Sequence, residues 1–344
     1  MDLPVNINAA YMFSIGGAAM IIDEQNPNAI YAIDTVAPTS WTKYTLTGAP
    51  QTRIGCRFIN FGSYLFLFGG MDDPSIFGPS GVVHNDIWGI DLQNLIMNPT
   101  TTLPWVQLTA DNTPGVPTPR IGFTWTAFGA HTVIMGGLTP PVGSVMTTCI
   151  QTPSLCQFHG SIWFFAPGNI GTPTANGVTG NAFQILAEAG AYGGPTPAPR
   201  CFHAAGATGD QLYVYGGLTA NGFVNDLWAY NLVSQTWAQV TQTSPWPSNY
   251  NRGAGVMIAR AFYVYAWDGK YNSLWRWFPV ASSGANTSPA AASDAPHPGT
   301  VAGLVIAALL GVANLVFVVI LYRRSTGSQY VASPIPGDVY SAVL

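Results

Sequence analysis

The sequence predicts an all-β body of about five stacked, four-stranded sheets, followed by one C-terminal transmembrane helix. Three observations carry this. A strand ending in a glycine pair recurs along residues 1–279, the chain holds 11 Trp, 15 Tyr and 17 Phe, and residues 301–322 run for 22 positions without a formal charge. Aromatic and β-branched runs punctuated by Gly and Pro read as short strands joined by tight turns. A 22-residue apolar run matches a bilayer core of about 30 Å at 1.5 Å per residue. Charged residues are 8% of the chain and its net charge is -4. With no basic run to neutralise phosphates, nucleic acid is excluded as a partner.

The repeats read in order along the chain. An apolar strand with a terminal Gly pair occurs as YMFSIGG, YLFLFGG, TVIMGG and QLYVYGG, and AFYVYAWDG keeps the strand without the pair. Each is followed by a strand with a central aromatic: AIYAID, NDIWGID, GSIWFFA, NDLWAYN and NSLWRWF. Three units add a Trp-led strand (SWTKYTL, PWVQLTA, TWAQVTQ). A Pro-rich turn ends at Arg53, Arg120 and Arg200, with Arg252 in the matching place, and each of the first three stands 16 residues before a Gly pair. One such unit cannot bury both faces of its sheet, so the units must stack around an axis.

This ordered set resembles the kelch-repeat β-propeller family (galactose oxidase-like/kelch superfamily). The resemblance covers most of residues 1–279 and implies blades with Gly-Gly after the second strand, an aromatic in the third and a Trp before the fourth. Under it, Gly16 marks the end of a second strand, and the 16-residue spacing puts its Arg at position 0. The last unit also lacks a Trp-led fourth strand. The expectation is therefore that strands upstream of Met1, together with a signal sequence, are absent from this sequence.

Connections between second and third strands are long in the second and third units and share a face with the Pro-rich turns between units. Binding residues gather on such loops. That face collects Phe77, His84, Phe158, His159, Tyr192, Trp246 and Tyr250 as binding-face candidates, suited to a protein or a neutral glycan. Cys149 and Cys156, seven apart in the longest loop, are expected to form a disulfide, and Cys56 and Cys201 to be buried thiols.

The remaining segments are a Ser/Ala/Pro-rich stalk (280–299), the span (300–322) and a tail (323–344). Arg323 and Arg324 follow the span, and the positive-inside rule places the tail in the cytosol and the body outside or in a lumen, giving a single-pass type I protein. Asn286, in Asn-Thr-Ser, is the glycosylation site expected in the stalk. Gly303, Ala307, Gly311 and Asn314 recur on one helical face and provide for a homodimer through the span. Tyr340 and Val343 delimit a YxxΦ sorting pattern.

Catalysis is disfavoured. The copper oxidases of the superfamily need two His, two Tyr and a crosslinked Cys near the axis, and the positions matching His203 hold Cys56, Phe123 and Gly255. Zinc spacings such as CxxC are missing, and Asp86 and Asp226, just before third strands, read as turn caps. No cofactor and no metal is expected. The sequence thus describes a membrane-held recognition module, with a membrane-tethered cytosolic adaptor or a secretory copper oxidase as alternatives.

Overall fold

The computed structural model describes residues 10–24, 26–36, 40–72, 81–93, 102–128, 131–141, 144, 146–166, 183–187, 194–241, 251–258, 261–267 and 272–279. Five antiparallel units follow one another. Blade I comprises β1 (Ala10–Ile15), β2 (Ala18–Asp23), β3 (Ala29–Asp34) and β4 (Thr42–Thr47). Blade II comprises β5 (Arg57–Phe61), β6 (Tyr64–Phe68), β7 (Ile87–Asp91) and β9 (Val106–Thr109), while the short β8 (Leu103–Pro104) lies parallel to β4 of blade I. Blade III is built on β10 (Thr124–Phe128), β11 (His131–Met135), β14 (Ile162–Phe165) and β15 (Phe183–Ala187), with the small ribbon β12 (Leu138–Thr139) and β13 (Gln157–Phe158) beside it. Blade IV has β16 (Arg200–Cys201) and β17 (Ala204–Thr208) on β18 (Gln211–Thr219), then β19 (Gly222–Asn231) and β20 (Thr236–Val240). Blade V shows β21 (Asn251–Ile258), β22 (Ala261–Trp267) and β23 (Asn272–Trp277). Among the described residues no helix is long and apolar enough to cross a membrane. The stalk, span and tail expected at 280–344 lie outside those residues.

Blade I corrects the register expected from the repeats. Gly16 and Gly17 do not follow a second strand: they form the turn of the β1–β2 hairpin, where Ile15 pairs with Ala18. The second strand is AAMIID, and Asp23 and Glu24 occupy the place that Gly69 and Gly70 hold in blade II. An apolar strand followed by Gly-Gly fits a hairpin turn as well as a strand end, so the local pattern could not separate them. The Arg position projected from Gly16 therefore has no structural meaning.

Consecutive blades share apolar layers. One joins Phe13, Ile22 and Leu46 of blade I to Phe58, Leu67 and Trp105 of blade II. Others join II to III, III to IV and IV to V. Phe68 meets Phe123 and Trp125 edge-on at 5.3 and 6.1 Å, the geometry that ring quadrupoles favour. Toward the axis, backbone bonds repeat from blade to blade: Gly70 N–H donates to the Arg120 carbonyl (3.1 Å) and Gly137 N–H to that of Arg200 (2.9 Å).

The approach is close enough to require glycine at position 136. A Cβ on Gly136, at φ +69°, would stand 2.5 Å from the Arg200 carbonyl and 2.7 Å from the His203 ring of the next blade. Gly17, at φ +82°, has nothing within 4 Å of its Cβ position. Gly17→Ala should cost about 1–2 kcal/mol for the left-handed backbone alone. Gly136→Ala should cost about 3 kcal/mol, because overpacking against fixed backbone adds to that strain. Urea midpoints of the two variants check this, and equal losses would show that the blades can move apart.

Candidate functional site: the loop face

The 16-residue Arg-to-Gly spacing has a direct cause. Each guanidinium reaches along its own blade to the carbonyl of the first glycine of the pair: Arg53 to Gly69 (3.1 Å), Arg120 to Gly136 (2.9 Å) and Arg200 to Gly216 (2.9 Å). Asp86 and Asp226 are not turn caps. Asp86 takes both arms of Arg53 (2.5 and 3.0 Å) and Asp226 both arms of Arg200 (2.6 and 3.0 Å), while Trp88 and Trp228 donate their indole N–H to the same carboxylates at 2.6 Å. Buried arginines need such partners, which makes these carboxylates structural. Burial tends to raise Asp226, but the hydrogen bond and charge of Arg200 outweigh it and hold the carboxyl below its usual range. In blade III the equivalent residue is Ser161, whose hydroxyl accepts from Trp163 at 3.0 Å. The side chain of Arg252 lies outside those described.

The β6–β7 and β11–β14 connections meet the turns between blades at one end of the sheets, the face on which the sequence places binding residues. His84 and His159 occupy equivalent positions there. Their backbones are pinned alike, His84 between the Gly70 carbonyl and Arg120 N–H, His159 between the Gly137 carbonyl and Arg200 N–H. Their rings differ. His159 is buried, with Nε2 at 2.8 Å from Thr139 Oγ1, and burial, then the charge of Arg120, pulls it from 6.5 to about 3. His84 is half-buried between two carboxylates, with Nδ1 2.6 Å from Asp111 Oδ2 and Nε2 3.4 Å from Asp72 Oδ2. Asp111 also accepts the backbone N–H groups of Asn85 (2.8 Å) and Asp86 (3.1 Å). Burial raises its carboxyl, but the bond from His84 and these amides bring it below its usual range.

Near the axis His203 is 1% exposed, with Nε2 at 2.9 Å from Thr124 Oγ1. Burial, then the charges of Arg200 and Arg57, lower it to about 3, so it is a neutral packing residue. Its neighbour Phe202 has φ 53°, at a place where blades II and III carry Gly55 and Gly122. Burial raises the Cys56 and Cys201 thiols and keeps them protonated, so neither is an activated nucleophile.

The long third-unit connection is folded rather than loose. It contains helix α1 (Met146–Gln151) and a 3-10 turn (Pro153–Leu155), and a disulfide joins Cys149 to Cys156 with Cα atoms 5.6 Å apart. Cys149 is fully buried in an apolar cluster with Ile54, Ile121, Leu138, Cys201 and Phe202, drawn from blades II, III and IV. The stapled insertion is thus packed down where the inner strands of three blades converge. Phe158 lies half-buried against this cluster, paired with Leu138. Of the binding-face candidates, the structure brings His84, Phe158 and His159 to one face, with the Phe158 and His159 rings packed inward. Among the described residues, the large apolar side chains that this face exposes are Val82 (57% exposed) and Leu155 (60%), which the aromatic pattern does not single out. Phe77, Tyr192, Trp246 and Tyr250 lie outside the described residues, as do Asn286, Gly303, Ala307, Gly311, Asn314, Tyr340 and Val343.

Gly pairs, third-strand tryptophans and buried arginines recur in one repeating unit, and part of the chain matches a known family model. Residues 186–291 match the KLHDC2/KLHL20/DRC7 Kelch-repeats domain. That stretch is similar to kelch repeats. The chain is similar to part of Multiple epidermal growth factor-like domains protein 8 of Mus musculus, 39% identical over 92 residues, which is 23% of this chain and 3% of that protein. It is 23% identical over 235 residues to Tip elongation aberrant protein 1 of Schizosaccharomyces pombe (67% of this chain, 17% of that protein). It is 23% identical over 257 residues to Kelch domain-containing protein 10 of Xenopus laevis (73% and 51%). The chain thus spans from a small fraction to about half the length of these curated relatives.

Proposed function

We propose that this kelch propeller is a protein-recognition module that binds through its loop face rather than a catalyst. The observation that carries the reading is the disulfide-stapled insertion: Cys149 anchors it in an apolar cluster shared by three blades, while Leu155 projects outward beside it. A loop ordered before binding loses little entropy on association, and an exposed apolar side chain on such a loop is a suitable contact point. In this reading the chain is held by one membrane span at 300–322 with the propeller outside or in a lumen, since a disulfide persists in oxidising compartments. A second reading, equally consistent with similarity to relatives named for their kelch domains, is a membrane-tethered cytosolic adaptor that binds protein through the same face.

Cross-linking of the full chain in intact cells tests both. A membrane-impermeant cross-linker should capture a partner with the wild type, lose it in Leu155→Asp and keep it in Val233→Asp, since Val233 is an exposed apolar residue in the β19–β20 turn at the opposite end. An adduct formed only with a permeant reagent, with no glycosidase shift dependent on Asn286, would select the cytosolic adaptor. Equal capture by the wild type and both variants would sink the loop-face assignment.

A further inference from the structure

We propose that His84 and Asp72 form a zinc-type transition-metal site on the loop face, with Asp111 as the carboxylate that orients the histidine. His84 Nδ1 faces Asp111 Oδ2 at 2.6 Å, which makes this nitrogen the N–H donor. The other ring nitrogen, Nε2, stands 3.4 Å from Asp72 Oδ2 and is buried without a hydrogen-bond partner. The separation is that of two ligands on one ion: Zn–N of about 2.0–2.1 Å and Zn–O of about 2.0–2.2 Å at a tetrahedral angle set them about 3.4 Å apart. A carboxylate on the far nitrogen of a metal-bound imidazole is the usual second-layer support, and Asp111 is itself fixed by the Asn85 and Asp86 amides.

Asp86 also lies within 4.8 Å of His84 and Asp111 but is not a ligand, because its oxygens already serve Arg53 and Trp88. With Arg53 neutralised by Asp86, Asp72 and Asp111 leave a local charge that attracts a dication. One imidazole and one carboxylate select zinc over calcium or magnesium, which require oxygen cages. Two protein ligands leave open positions. Asp72 and Asp111, with side chains 22% and 33% exposed, place those positions at the surface, for water or a ligating side chain of a bound protein.

The test is calorimetric titration of Zn2+ into the full chain after chelator dialysis, with thermal melts alongside. One Zn2+ per chain and a rise in Tm are expected. Asp72→Asn and His84→Gln should each lower affinity at least tenfold, and Asp111→Asn about 10–100-fold. Asp210→Asn, in the β17–β18 turn at the opposite end, should bind as the wild type does. Asp72→Asn alters a partly exposed side chain, so it decides the matter if His84→Gln fails to fold. No zinc binding by the wild type, undiminished binding in Asp72→Asn, or a preference for Ca2+ would each overturn the site.

Discussion

Asp226→Leu should destabilise the protein by about 3–5 kcal/mol, read as a lower urea midpoint with an unchanged slope. Arg200 is fully buried and shares two hydrogen bonds with Asp226, so removing the carboxylate strands a cation away from water. A second variant isolates the cause. Arg200→Met/Asp226→Leu should be less destabilised than Asp226→Leu alone, although it gives up the Arg200 bonds to the Gly216 and Ala198 carbonyls, because no uncompensated charge remains. If the double variant is the weaker protein, those carbonyl bonds and not the ion pair hold the blade together.

Acidification should be nearly as damaging. His159 and His203 are each lowered from 6.5 to about 3, so between these values the unfolded chain binds protons that the folded protein does not. Stability then rises with pH across that window: it is fully present above pH 6.5 and lost as pH falls toward 3. At pH 5 the loss is about 2 kcal/mol for His203 and somewhat less for the shallower His159, about 3–4 kcal/mol together. The depressed carboxyls of Asp111 and Asp226 contribute their stability in full above the ordinary 3.8 and lose it only as pH falls below that toward their folded values, so they add nothing to the loss at pH 5. Denaturant unfolding at pH 7.5 and 5.0 measures the slope. His203→Gln should remove about half of it, and an unchanged slope in that variant would assign the acid sensitivity elsewhere.

The part of the architecture that repeats was legible in the linear chain. The spacing from Arg53, Arg120 and Arg200 to their glycines is a local ruler, because a guanidinium reaching a carbonyl in its own blade must recur at the same separation. The third-strand tryptophans and the pairing of the β-hairpins are local in the same sense. The first blade was misread for a related reason: strand periodicity and Gly-Gly are shared by a hairpin turn and a strand end, and only pairing partners distinguish them. Aromatic loop residues suggested a binding face, yet whether a ring points out or in depends on the neighbouring blade, and Phe158 and His159 turn inward.

Composition and periodicity alone therefore determined an all-β chain of stacked four-stranded units, with loops gathered at one end and a single long uncharged segment after them. Tertiary structure decided the chemistry. It turned Asp86 and Asp226 from turn residues into partners of buried arginines, drew Cys149 under an apolar cluster from three blades, and placed His84 between Asp72 and Asp111. Those carboxylates stand 12 residues before and 27 after the histidine, on a strand-to-strand connection and an interblade turn. Backbone hydrogen bonding and burial set local periodicity and leave their mark on neighbouring residues. Electrostatic contacts across blades depend on which loops close over one another, and that is fixed only when the sheets pack.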